Sequence, residues 1–127
     1  MRTHQARFAS WFVIAVIAAC GIAVSSPRVA WAHAVLVSAQ PAENSTVAGP
    51  DIAVLLKYNS RLDIEHSILT LLAPGGKLEK IAIGGQPQPG LLSANLTGLV
   101  KGAYELRWQV LAVDGHVTRG KVLFQIK

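Results

Sequence analysis

From residue 35 onward, apolar residues come in short runs separated by glycine or proline, and several runs alternate strictly with polar positions. The clearest case is Tyr104, Leu106, Trp108, Val110 and Ala112 set against Glu105, Arg107 and Gln109, a period of two that gives one apolar and one wet face. Such a run is a core strand, with Trp108 expected between two sheets. The same reasoning predicts strands at 35–39, 52–58, 67–72, 77–83, 91–96, 104–113 and 121–126. Pro41, Gly49-Pro50, Pro74-Gly75-Gly76, Gly84-Gly85, Gly90, Gly98 and Gly102 punctuate them at intervals too short for intervening helices. Gln86-Pro87-Gln88-Pro89 reads as a short, stiff, polar loop, and Tyr58 and Tyr104 as core or half-buried strand residues. About seven short strands without a 3.6-residue pattern imply an all-β sandwich of the immunoglobulin-like kind.

The first 32 residues follow a different pattern. Arg2, His4 and Arg7 precede an apolar run from Trp11 to Val24, and a small-x-small site closes at Ala30-Trp31-Ala32. This is the layout of a secretory signal, and the run falls short of the roughly 20 residues that span a bilayer. The expected division is a cleaved signal at 1–32 and a single domain at 33–127, exported to the periplasm, with no membrane span in the mature chain. A competing start lies at Ile17-Ala18-Ala19-Cys20-Gly21, which resembles a lipobox and would make a lipidated Cys20 the first residue. The apolar sequence and second small-x-small site that follow Cys20 favour the cut after Ala32.

Charge and sulfur change meaning once that cut is made. The chain's formal charge of +5 falls to +2 for 33–127, because Arg2, Arg7 and Arg28 leave with the signal and all seven acids stay. With no dense basic run and no basic-aromatic interleaving, nucleic-acid binding is not expected. Cys20 and Met1 are the only sulfur residues, so the mature domain has no disulfide, thiolate or thioether ligand.

The chemistry concentrates at the two ends of this domain. A cut after Ala32 gives His33 a free α-amine, which can close one chelate ring around a metal together with its own imidazole. Asp114-Gly115-His116 directly follows the longest strand, and in extended geometry Asp114 and His116 would lie about 6.6 Å apart on one face, within reach of a single ion. Asp-Gly between two apolar strands is also a hairpin turn, so this segment by itself leaves turn and site both open. Taken with His33 it supplies an amine, two imidazoles and a carboxylate. A nitrogen and oxygen set without sulfur suits Cu(II), with Zn(II) and Ni(II) as competitors, and disfavours Cu(I). Its affinity should fall as pH drops, because the nitrogen ligands must be deprotonated.

These residues carry a family resemblance. His33-Ala34-x-Leu36-Val37-Ser38-x-x-Pro41-Ala42, then Gly102-x-Tyr104-x-Leu106-x-Trp108-x-Val110 leading into Val113-Asp114-Gly115-His116, and finally Gly120-x-Val122-x-Phe124-x-Ile126 are similar to the CopC family of periplasmic copper-binding proteins. The resemblance spans the whole mature domain. It implies a cupredoxin-like or immunoglobulin-like Greek-key β-sandwich or barrel, holding one Cu(II) per mature chain on His33, Asp114 and His116. It also implies a monomeric, non-enzymatic protein that buffers, sequesters or carries copper, with any inner-membrane copper transporter a separate partner. The methionines of a Cu(I) loop found in some members are missing, and Val117 stands where proline often follows the Asp-x-His motif.

Two other functions compete on the same residues. One is a small copper-dependent oxidative enzyme built on the N-terminal histidine; a 95-residue domain offers it little substrate surface, and Asp114 would block a position that oxygen chemistry needs open. The other is a metal-free interaction module whose Asp-Gly turn is only a turn. His66 lies beside Asp63 and Glu65, so a second weak metal site is conceivable there, with a solvated histidine as the default reading.

Overall fold

The structure, a computed structural model, describes residues 33–127. The expected signal segment at 1–32, Cys20 and the expected cut after Ala32 lie outside the described residues. Nine strands run in chain order: β1 Leu36–Gln40, β2 Ser45–Val47, β3 Ile52–Tyr58, β4 Leu62–Leu72, β5 Leu78–Ile81, β6 Ile83–Gln88, β7 Leu91–Leu96, β8 Gly102–Ala112 and β9 Val117–Ile126. They form a four-stranded sheet in the order β1-β3-β7-β6 and a five-stranded sheet in the order β2-β9-β8-β4-β5. All neighbours are antiparallel except β2, which runs parallel to β9.

The core lies between the sheets, because each long strand alternates as the sequence requires. Val54, Leu56 and Tyr58 of β3 and Leu92, Ala94 and Leu96 of β7 face Leu69 and Leu71 of β4, Tyr104, Leu106, Trp108, Val110 and Ala112 of β8, and Val122, Phe124 and Ile126 of β9, all buried. Tyr58 and Trp108 meet edge to face with ring centroids 5.3 Å apart, and Tyr104 stacks on Phe124 at 5.4 Å. Burial of each large side chain stabilises by roughly 1.5–3 kcal/mol. Tyr58 and Tyr104 are therefore core residues, and Trp108 lies between the sheets as expected.

Three expectations need correction. The single strand expected at 77–83 is two strands broken at Ala82, β5 in one sheet and β6 in the other. The Gln86-Pro87-Gln88-Pro89 run is not a loop, since Gln86 to Gln88 belong to β6. Proline is tolerated because β6 is an edge strand. The Gln86 side chain then does what a peptide group would: its Oε1 accepts from the N–H of Leu62 at 3.0 Å and of Gly90 at 2.7 Å, and its Nε2 donates to the Leu62 carbonyl at 3.0 Å, tying the two sheets together. Finally, β2 and the first half of β4 were hidden from the pattern. β2 has three residues, and β4 bulges between Asp63 and Ile68, where its period of two is lost. The Ser67 hydroxyl closes that bulge, donating to the Asp63 carbonyl at 2.6 Å and accepting from the Leu111 N–H at 3.1 Å.

Candidate metal centre

One end of the sandwich gathers three segments: the N-terminal arm before β1, the β3–β4 connection, and the β8–β9 hairpin tip. The tip is a true hairpin turn. The Ala112 N–H donates to the His116 carbonyl at 2.8 Å and the Gly115 N–H to the Ala112 carbonyl at 2.9 Å, with Gly115 at φ +93°. Glycine is favoured there because a Cβ disfavours this backbone region. The expectation that Asp114 and His116 share one face of an extended strand is thus corrected. They meet because Asp114 forms an Asx turn, its Oδ1 accepting the His116 backbone N–H at 3.0 Å while lying 3.2 Å from His116 Nδ1. The segment is a turn, and the turn brings the two side chains together.

His33, from the far end of the described chain, arrives beside them. Its ring and that of His116 meet edge to face, centroids 5.0 Å apart with an interplanar angle of 85°. An ion about 2 Å from one nitrogen of each ring sits about 3 Å from each centroid, so centroids within about 6 Å can share it. The Asp114 carboxyl is held below the usual carboxylate range, first by the His116 backbone N–H and then by the His116 imidazole and the charge of His33. It is therefore an anion well below neutral pH. His116 is half-buried, while His33 and Asp114 are exposed, and Val113 and Val117 present exposed methyl groups on either side of the turn.

Among the described residues, no group of three or more His, Cys, Asp or Glu side chains is already closed up as a metal cage. In the full-length chain the His33 nitrogen is a peptide amide and not an amine donor. The carboxylate meanwhile is engaged by the turn. The donors present, two imidazoles and one carboxylate around an open edge, fit a nitrogen and oxygen site that an N-terminal amine would complete.

The arm carrying His33 is pinned from both sheets. Ala34 is 1% exposed, and the Thr118 hydroxyl of β9 donates to its carbonyl at 2.8 Å across 84 residues of sequence. Asn59, just past β3, accepts the Val35 N–H on its Oδ1 at 2.8 Å and donates its own N–H to the Val35 carbonyl at 3.1 Å. The β3–β4 connection in turn holds the hairpin, the Val113 N–H donating to the Arg61 carbonyl at 3.2 Å. Neither Thr118 nor Asn59 stands out in the sequence, since a lone Thr or Asn after a strand carries no signal of what it will face.

His66 lies in the β4 bulge. It is exposed, with Nδ1 2.8 Å from Asp63 Oδ2 and its backbone N–H donating to Asp63 Oδ1 at 3.3 Å. The hydrogen bond with the His66 imidazole is the main reason the Asp63 carboxyl also lies below its ordinary range. Glu65 is exposed.

Residues 36–127 match the model of the CopC domain family. Protein YobA of Escherichia coli K12 is 31% identical over 102 residues, covering 76% of this chain and 81% of that protein. Copper resistance protein C of Pseudomonas syringae pv. tomato is 30% identical over 118 residues, covering 86% and 90%. The crystal structure of CopC from Methylosinus trichosporium OB3b superposes with a TM-score of 0.69 at 30% identity, covering 75% of this chain and 94% of that one. A sandwich of this topology and a match over nearly the whole described domain give one conclusion: the chain belongs to the CopC family.

Proposed function

We propose that this protein is exported, loses residues 1–32, and then binds one Cu(II) per chain through the α-amine and imidazole of His33, the carboxylate of Asp114 and the imidazole of His116. The observation that supports this most is the approach of the His33 and His116 rings to 5.0 Å, with Asp114 against the second ring. Residues from opposite ends of a domain meet in this way only if the fold brings them together. The copper resistance proteins among its relatives favour copper as the cargo, and the absence of mature sulfur favours the divalent ion. The task that follows is non-catalytic: to buffer, sequester or carry copper in the periplasm. An open edge suits that task, since an exposed ion can be passed on by ligand exchange. A separate inner-membrane copper transporter would receive it.

Intact mass of the secreted protein should show His33 as the first residue, and Cu(II) titration should saturate at one ion per chain. A variant with one alanine added ahead of His33 should bind far more weakly. Equal affinity in the two forms, or a lipidated Cys20 at the start, would overturn the proposal. Sustained ascorbate-driven peroxide production by the copper-loaded protein would replace the carrier reading with an oxidative enzyme.

A further inference from the structure

The carbonyl held by Thr118 and the N–H held by Asn59 belong to the same peptide unit, the one joining Ala34 to Val35. Thr118 lies on β9 of the five-stranded sheet, and Asn59 follows β3 of the four-stranded sheet. One peptide plane is thus clamped from both layers of the sandwich, while the Ala34 methyl, 1% exposed, fills the end of the core beneath it. Only the bonds of His33 and its link to Ala34 remain free to vary. A terminal histidine on an untethered arm would instead sample many backbone states, each of which must be given up when a metal binds.

From this arrangement we infer that Thr118 and Asn59 are positioning residues for the metal chelate: by fixing the Ala34–Val35 peptide they aim His33 at His116. The inference rests on the Cu(II) reading proposed above. Thr118 is well suited to the role. It is β-branched, so its hydroxyl direction is stiff, and it stands two residues after His116. The same strand therefore begins beside one ligand and anchors the arm of the other, so that small shifts of β9 move both together. Asn59 fixes the opposite side with two bonds to Val35. Neither residue need touch the ion.

The test uses the mature protein beginning at His33, with Cu(II) affinity measured by competition with a chromophoric chelator and the coordination read by electron paramagnetic resonance. Thr118→Val keeps the shape and removes the donor. Its affinity should fall about tenfold, the factor expected for leaving one backbone residue to be ordered by the ion, and its resonance spectrum should show a second, heterogeneous population. Thr118→Ser restores the hydroxyl and should stay within about twofold of wild type, the smaller loss reflecting only its looser χ1. Asn59→Ala, which leaves β9 intact, should weaken binding in the same direction as Thr118→Val and serves as the measurement if Thr118→Val fails to fold. Wild-type affinity and an unaltered spectrum in Thr118→Val, or in Asn59→Ala where it substitutes, would overturn the inference, even with a lower melting temperature. So would a loss in Thr118→Ser as large as in Thr118→Val. If instead the wild type binds no more tightly than its alanine-extended form, the copper reading itself fails, and that outcome is distinct from either of these.

Discussion

Gly120→Ala should be among the most damaging single-methyl additions in the domain. Gly120 pairs directly with Trp108 across β8 and β9, and a Cβ placed on it would lie 2.3 Å from Cζ2, 2.8 Å from Cε2 and 2.9 Å from Cη2 of the indole. Ordinary carbon contacts sit near 3.5–4.0 Å, so ring or strand must move by more than about 1 Å. The ring has little freedom: it is 9% exposed and packed edge to face with Tyr58. Gly120 lies in regular strand and has no positive φ, so alanine suits its backbone and the cost is steric alone. Overpacking of this kind costs about 1–3 kcal/mol, and the rigidity of the indole argues for the upper half of that range. In a domain of this size, 2–3 kcal/mol lowers Tm by about 10–20 °C. Trp108 is the sole tryptophan of residues 33–127, so its emission during thermal unfolding reports on the affected contact itself. Trp108→Leu should lose stability alone, yet relieve much of the penalty when combined with Gly120→Ala, a coupling that circular dichroism would reveal. A Gly120→Ala protein melting within about 2 °C of wild type, with unchanged emission, would refute the packing argument.

Other expectations follow from single groups. Burial pushes the Tyr58 phenol well above its ordinary range, and its Oη has no hydrogen-bond partner among the described residues. Above about pH 10 the unfolded chain releases this proton while the folded chain keeps it, so stability should fall by about 1.4 kcal/mol per pH unit. Tyr58→Phe should flatten that alkaline slope, measured by urea unfolding at pH 9 to 11, at little cost near neutrality. Gly90→Ala combines a φ of +77° with a Cβ only 2.7 Å from the carbonyl oxygens of Tyr58 and Ser60; it should lower Tm at least as far as Gly120→Ala in the same melting experiment. His116→Ala removes a half-buried side chain at a turn, so the metal-free protein should melt within a few degrees of wild type. Its Cu(II) affinity should nevertheless drop by more than about 100-fold in chelator competition, exceeding the usual cost of losing a group that merely supports a ligand.

The sandwich and its core follow from local pattern alone. Period-two burial from Tyr104 to Ala112 is a local property, since alternate side chains of a strand must point to opposite faces wherever that strand lies. The long alternating runs of β3, β7 and β8 were legible for that reason. What alternation cannot express is a strand whose neighbours break its period. The β4 bulge, the three residues of β2 and the proline-bearing edge strand β6 depend on partners far away in sequence: Leu111, Phe124 and the Gln86 bridge to Leu62. The site shows the same division. Local sequence left Asp114-Gly115-His116 open between turn and ligand pair, and the structure shows a turn whose Asx hydrogen bond brings the two side chains together. That His33 should lie 5.0 Å from His116, and that Thr118 and Asn59 should hold its arm, was decided by the stacking of one sheet on the other. Donor chemistry is written in residue types, whereas the distance between donors belongs to the packed fold.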